Sequence, residues 1–133
     1  MNDCIFCKII AGQIPCYKIY EDEQVLAFLD IALDSFGHTL VIPKKHCLNI
    51  TDCDDDILAH VFKITKKITA HFVKNCGFDG ANIVSNIGSQ QAVRHLHIHI
   101  FPRKPTEKML TIFEVNSVKV SLEEQQKLLK LTN

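Results

Sequence analysis

The chain has 133 residues, 47% of them hydrophobic, and its fifteen basic and fifteen acidic side chains cancel to a formal charge of zero. That size suits one domain with a single core, and the charge balance gives no footprint for duplex nucleic acid and no polybasic membrane anchor, so an anionic ligand must be held by a local site. No apolar run approaches transmembrane length, and Met1-Asn2-Asp3-Cys4 lacks the basic start of a secretory signal, so the expectation is a cytoplasmic protein with neither a nucleic-acid nor a membrane partner.

Ile5, Phe6, Ile9 and Ile10 share one helical face and Gly12 follows, which predicts a short N-terminal helix closed by the turn Gln13-Ile14-Pro15. Its start carries Cys4-x-x-Cys7, a recurring half-site for zinc. Six cysteines (Cys4, Cys7, Cys16, Cys47, Cys53, Cys76) without a secretory signal read as reduced thiols rather than a disulfide scaffold. Residues 17–21 and 25–30 predict two strands around the acidic turn Glu21-Asp22-Glu23, and a turn over 34–37 leads to a third strand over 38–43. The acidic run at 52–56 suits the N-terminus of a long helix. That helix would turn Leu58, Val61, Phe62, Thr65, Ile68 and Phe72 inward and stop at Asn75-Cys76-Gly77. Strands over 81–85 and 94–101 follow, joined by a loop over 86–91, and Ser121 with Glu124 predicts a capping box for a last helix through Leu131. With no repeat, no linker and no regular βαβ alternation, these elements predict one α+β domain over 1–133, built on an antiparallel sheet with one long helix.

His95-Leu96-His97-Ile98-His99 carries the chemistry. Its period of two would place three imidazoles on one face of a strand and Leu96, Ile98 and Ile100 on the other. Imidazoles so gathered serve metal ligation, proton transfer or nucleophilic attack; one of the three can instead be a packed core side chain. An expression tag is excluded because the segment is internal and aliphatic residues alternate within it. The preceding loop, with Asn86, Gly88, Ser89, Gln90 and Gln91, can turn amide donors toward an oxyanion. Donors leading into neutral imidazoles suit a phosphate ester better than a bare metal.

These blocks, in this order, resemble the histidine triad family of nucleotide hydrolases and transferases, within its small single-domain branch of nucleotide-binding proteins. The resemblance spans residues 4–103, leaving 104–133 as a variable C-terminal segment. It rests on Cys4-Ile5-Phe6-Cys7-Lys8-Ile9-Ile10, Ile14-Pro15, Glu21-Asp22, Leu26-Ala27-Phe28-Leu29-Asp30, Gly37-His38-Thr39-Leu40-Val41-Ile42-Pro43-Lys44-Lys45-His46, Asn86 and the triad itself. It implies a five-stranded antiparallel sheet and a covalent mechanism in which His97 attacks the α-phosphorus, His99 contacts the phosphate and assists the leaving group, and His38 supports the triad from behind. It implies ribose contacts from Asp30, phosphate contacts from Asn86 and Gln91, and a base pocket of Phe6, Ile14, Phe28 and Ile31. Each of these apolar residues can equally be ordinary core. Cys4, Cys7, His46 and His95 match the structural zinc ligands of some members, which would make His95 a ligand and leave His97 free.

Three departures bear on specificity. The 86–95 loop is two residues shorter than the common pattern, Gln90 replaces a usual glycine, and Ala92 replaces a usual hydroxyl residue, which bears on the leaving group. The expected activity is hydrolysis of purine nucleoside 5′-phosphoramidates or related nucleoside monophosphate derivatives, by a homodimer whose two sheets join. The rivals are a dinucleoside polyphosphate hydrolase and a nucleotide-binding regulator with little turnover. The complete third histidine argues against the uridylyltransferase branch, which has lost it.

Overall fold

A computed structural model describes residues 3–105 and 118–131; part of the variable C-terminal segment lies outside the described residues. The chain runs α1 (Ile5–Ile10), β1 (Lys18–Glu21), β2 (Val25–Leu29), β3 (Thr39–Pro43), α2 (Asp55–Asn75), β4 (Gly80–Val84), β5 (Ile98–Arg103) and α3 (Leu122–Leu129). The strands form one antiparallel sheet in the order β1-β2-β3-β5-β4, the α+β architecture that the pattern predicts. Among the described residues no helix is long and apolar enough to cross a membrane.

Strands β2 and β3 are buried along their whole length because both faces of the sheet are covered. Val25, Ala27, Leu29 and Val41 join Val61, Ile64, Ile68 and Phe72 of α2 in the larger core. Leu26, Phe28, Leu40 and Ile42 meet Phe6, Ile9 and Ile10 of α1 on the opposite face. Burying a side chain the size of Phe72 stabilises the fold by roughly 1.5–3 kcal/mol, so this two-sided packing fixes the sheet. The register then sorts the triad segment. Leu40 opposes His99 and Val41 opposes Ile98, and opposed residues share a face. The histidines therefore lie on the α1 face, and Leu96, Ile98 and Ile100 enter the α2 core.

Two expectations need correction. Phe62 points outward, 43% exposed, and Ile64 takes its place inward. Residue 62 lies about 100° around the helix from Val61, outside the stripe at 61, 64, 65, 68 and 72. Strand β5 begins at Ile98, not at residue 94, because the Leu96 N–H bonds to the Cys47 carbonyl instead of joining a ladder. His95 and His97 therefore precede the strand, and only His99 is in it. The Ser121–Glu124 cap forms as expected, with Ser121 Oγ accepting the Glu124 N–H, and α3 ends at Leu129.

Candidate active site and metal-binding cluster

Helix α1 begins with Cys4 as its N-cap, the Cys4 sulfur accepting the Cys7 N–H. Three-residue spacing on that first turn brings both thiols to one side. Cys4 Sγ lies 3.3 Å from His95 Nδ1, Cys7 Sγ lies 3.3 Å from His46 Nδ1 and 3.6 Å from His95 Nδ1, and the two Nδ1 atoms are 3.2 Å apart. All four ligating atoms fall within 4.8 Å of one another. A tetrahedral ion with nitrogen and sulfur bonds of about 2.05 and 2.3 Å would set N···N near 3.3 Å and S···N near 3.5 Å, which this set matches.

The protons agree with that geometry. His95 Nε2 is 2.8 Å from the Pro43 carbonyl, which can only accept, so Nε2 carries the hydrogen and Nδ1 presents a lone pair to both sulfurs. Burial lowers His95 to about 4, and burial together with the neighbouring Cys4 raises Cys7. Four ligand atoms of these types within reach of one another can hold a cation. Two thiols and two imidazoles are the donor set of a closed, borderline-soft metal site.

Beside this cluster, His97 Nδ1 donates to the His95 carbonyl at 2.7 Å, which fixes its tautomer and leaves the Nε2 lone pair for chemistry. His97 is 5% exposed, and burial lowers its pKa from the usual range. Ser85 Oγ donates to the His97 carbonyl, tying the end of β4 to the triad. The Phe6 ring stands edge-on to His95, His97 and Phe28, so α1 braces both histidines at once.

His99 stacks on Phe101 and lies against His97. His38 Nε2 is 2.9 Å from His99 Nδ1, and His38 Nδ1 is 2.7 Å from Asp34 Oδ1. His38 thus contacts His99, which in turn lies against His97. Asp34, read from sequence as a turn residue alone, is a further member of the site. Asp30 lies near the same ring, its Oδ2 3.9 Å from His38 Nδ1, and its Oδ1 accepts the Ala32 N–H.

The remaining expected residues divide. Phe6 and Phe28 come together; Ile14 is half-buried between α1 and β1. Ile31 is 77% exposed and does not pack with the phenylalanines, because the turn closed by Asp30 and Ala32 swings it outward. Asn86 follows β4 half-buried, at the mouth of a loop whose Gly88–Gln90 segment forms one 3₁₀ turn. Gln91 is buried and gives its side-chain N–H groups to the Leu48 and Val93 carbonyls, so it shapes the loop and has no hydrogen left for a phosphate.

The sequence profile of the HIT domain matches residues 11–106. The chain is 54% identical over 102 residues to an uncharacterized HIT-like protein of Methanocaldococcus jannaschii, covering 75% of this chain and 78% of that one. It is 45% identical over 107 residues to the adenosine 5′-monophosphoramidase hnt1 of Schizosaccharomyces pombe, covering 79% and 77%. Among solved structures, a zinc-bound histidine triad family protein from Mycobacterium smegmatis superposes with a TM-score of 0.85 at 36% identity, over 97% of this chain and 91% of that one. With the profile matching residues 11–106 and relatives of this identity covering about three quarters of its length, the chain belongs to the HIT domain family.

Proposed function

We propose that the protein hydrolyses purine nucleoside 5′-phosphoramidates, or related nucleoside monophosphate derivatives, through a nucleotidyl-His97 intermediate. The observation that carries this reading is the His97 Nδ1–H bond to the His95 carbonyl, which leaves an unprotonated Nε2 as nucleophile in a buried setting. Nε2 attacks the α-phosphorus, the phosphorus–nitrogen bond breaks, and the leaving amine takes a proton from the His99 side. Water then cleaves the phosphorus–Nε2 bond, releasing the nucleoside monophosphate and restoring His97. In this scheme Asp30 receives the ribose hydroxyls, Asn86 contacts the phosphate, and Phe6 and Phe28 contribute to the base pocket. The similarity to the fission-yeast phosphoramidase favours the phosphorus–nitrogen substrate.

Zinc is the proposed ion for Cys4, Cys7, His46 and His95; bound there it would cross-link α1, the segment after β3 and the triad segment. The proposed assembly is a homodimer joined through edge strand β4 and the exposed Phe62, Val73 and Ile83.

The test is incubation with adenosine 5′-phosphoramidate and, separately, with diadenosine polyphosphates. Turnover of the first, abolished in His97→Ala with the fold retained by circular dichroism, is the expected result. Turnover of the polyphosphate alone would transfer the assignment to that rival, and binding without turnover would leave a regulator. Substantial activity in His97→Ala would overturn the covalent mechanism.

A further inference from the structure

Residues 32–36, in the turn between β2 and β3, lie between the motif blocks that carry the resemblance. Leu33 has a φ of 54°, a left-handed conformation that a leucine rarely adopts. The His38 N–H bonds to the Ser35 carbonyl at 3.2 Å, and the carboxylate of Asp34 reaches back to His38 Nδ1 at 2.7 Å. A strained residue kept immediately before a partly buried hydrogen bond to the site is the pattern expected when the backbone is set for that bond.

Hydrogen-bond logic then runs along the chain. The Asp34 carboxylate only accepts, so His38 Nδ1 carries its hydrogen. In neutral His38 the opposite nitrogen, Nε2, is an acceptor and must face a donor. At 2.9 Å that donor is His99 Nδ1–H. His99 Nε2 is then left as a lone pair, and it is buried without a hydrogen-bond partner. The titratable groups facing this pair are Asp34 and Asp30 on the His38 side and His97 on the His99 side.

We infer that Asp34 is a positioning residue that sets the direction of a His38–His99 proton relay, so that His99 Nε2 takes up a proton with the anionic ligand and returns it to the leaving group. On uptake from solvent, the new proton binds His99 Nε2, the His99 Nδ1 proton passes to His38 Nε2, and the positive charge settles on His38 against Asp34. Delivery reverses both transfers. Asp34 itself never changes protonation, as with the orienting carboxylate of a hydrolytic triad. Burial disfavours a charge kept on His99, whereas His38 Nδ1 lies 2.7 Å from the Asp34 carboxylate.

This inference rests on the hydrolase reading, so one arm of its test does not use turnover. Long-range proton–nitrogen NMR of the metal-loaded, full-length protein should show His38 as the Nδ1–H tautomer, and an Nε2–H tautomer overturns the inference. The second arm compares Asp34→Asn and Asp34→Glu, with folding checked by circular dichroism. Two substrates are used: adenosine phosphoramidate, whose amine must be protonated to leave, and the p-nitrophenyl ester of adenosine monophosphate, whose phenolate need not be. Asp34→Asn should lower kcat on the phosphoramidate by on the order of tenfold to a hundredfold and move the acid limb of its pH profile, with KM nearly unchanged. The ester should change less than about threefold, and Asp34→Glu should recover part of the loss. Wild-type kcat and pH profile in Asp34→Asn, or equal losses on both substrates, would overturn it. If the wild type turns over neither substrate, the hydrolase reading fails while the NMR arm still decides the role of Asp34.

Discussion

The His95 carbonyl accepts the Nδ1–H of His97 at 2.7 Å, while the His95 ring gives its own Nε2–H to Pro43 and turns Nδ1 toward Cys4, Cys7 and His46. One residue therefore joins the metal-binding cluster to the proposed nucleophile. Anything that loosens the His95 ring also moves the carbonyl that fixes the His97 tautomer.

Removing a ligand should accordingly cost both stability and rate. Cys7→Ser, or exhaustive chelation of the wild type, should lower Tm by on the order of 10 °C, equivalent to a few kcal/mol for a domain of this length. It should also reduce turnover by about 10–100-fold, the usual effect of disturbing the groups that orient a site. Metal analysis with thermal melts checks the first part. One bound zinc per chain is expected, and a metal-free wild type with unchanged Tm after chelation would remove the site.

Burial among His97 and His38 lowers His99 from 6.5 to about 4, which gives stability a definite pH dependence. The folded value lies below the unfolded one, so the unfolded chain binds the proton first as pH falls. The stability that neutral His99 contributes is complete above about pH 6.5 and is lost between there and about pH 4, by up to about 3 kcal/mol. The measurement is urea unfolding of the wild type and His99→Gln at several pH values. The difference between the two curves should shrink by that order on acidification, because glutamine does not titrate. Parallel curves would show that His99 is not held neutral.

The His38 turn is anchored from the far end of the chain. Gln125, 1% exposed on α3, accepts the Gly37 N–H through Oε1 at 2.7 Å and donates through Nε2 to the Val120 carbonyl. Gly37 has a φ of 79°, and a Cβ there would sit 3.0 Å from Leu129 Cδ1 and 3.1 Å from the Pro102 ring. Gly37→Ala should cost about 2 kcal/mol or more from left-handed strain and crowding. Gln125→Ala should cost about 1–3 kcal/mol by leaving a buried N–H unpaired. The two disturb one contact, so the double variant should lose less than the sum, as denaturant titration will show. Strict additivity would mean that α3 does not hold this turn.

What was legible in the sequence follows from the range of each interaction. Helix α1, the strand order of hydrophobic blocks and the Ser121 cap rest on local periodicity and spacing, and local signals survive in a one-dimensional chain. The residue types at 4, 7, 46 and 95 and at 38, 97 and 99 were readable through the resemblance, although their separation of up to 91 residues needs the fold to bring them together. Asp34 and Gln125 were not readable. Asp34 sits four residues from His38 across an irregular turn, where spacing predicts no contact, and Gln125 lies 88 residues from Gly37 on what reads as an ordinary helical surface. Gln91 shows the converse: its match to the motif was plain, but only the structure shows both its N–H groups occupied by backbone carbonyls.

Phe62 failed to face the core for a reason that makes a prediction of its own. It lies outside the inward stripe of α2, 43% exposed, with Val73 and Ile83 at 40% and 42%, and a shallow cavity lined by Phe62, Thr65, Lys66, Thr69, Ala70 and Ile83. Strand β4 ends the sheet, so its outer edge is open to pairing among the described residues. An open edge flanked by apolar side chains is costly to leave in water and suits a two-fold partner that offers the same surface. Sedimentation or light scattering at micromolar concentration should therefore report a dimer. Ile83→Asp and Phe62→Asp should shift it toward monomer, because each places an unpaired carboxylate in a dry contact, while circular dichroism remains that of the wild type. A wild type that is monomeric throughout the accessible concentration range would rule this surface out as a self-association face.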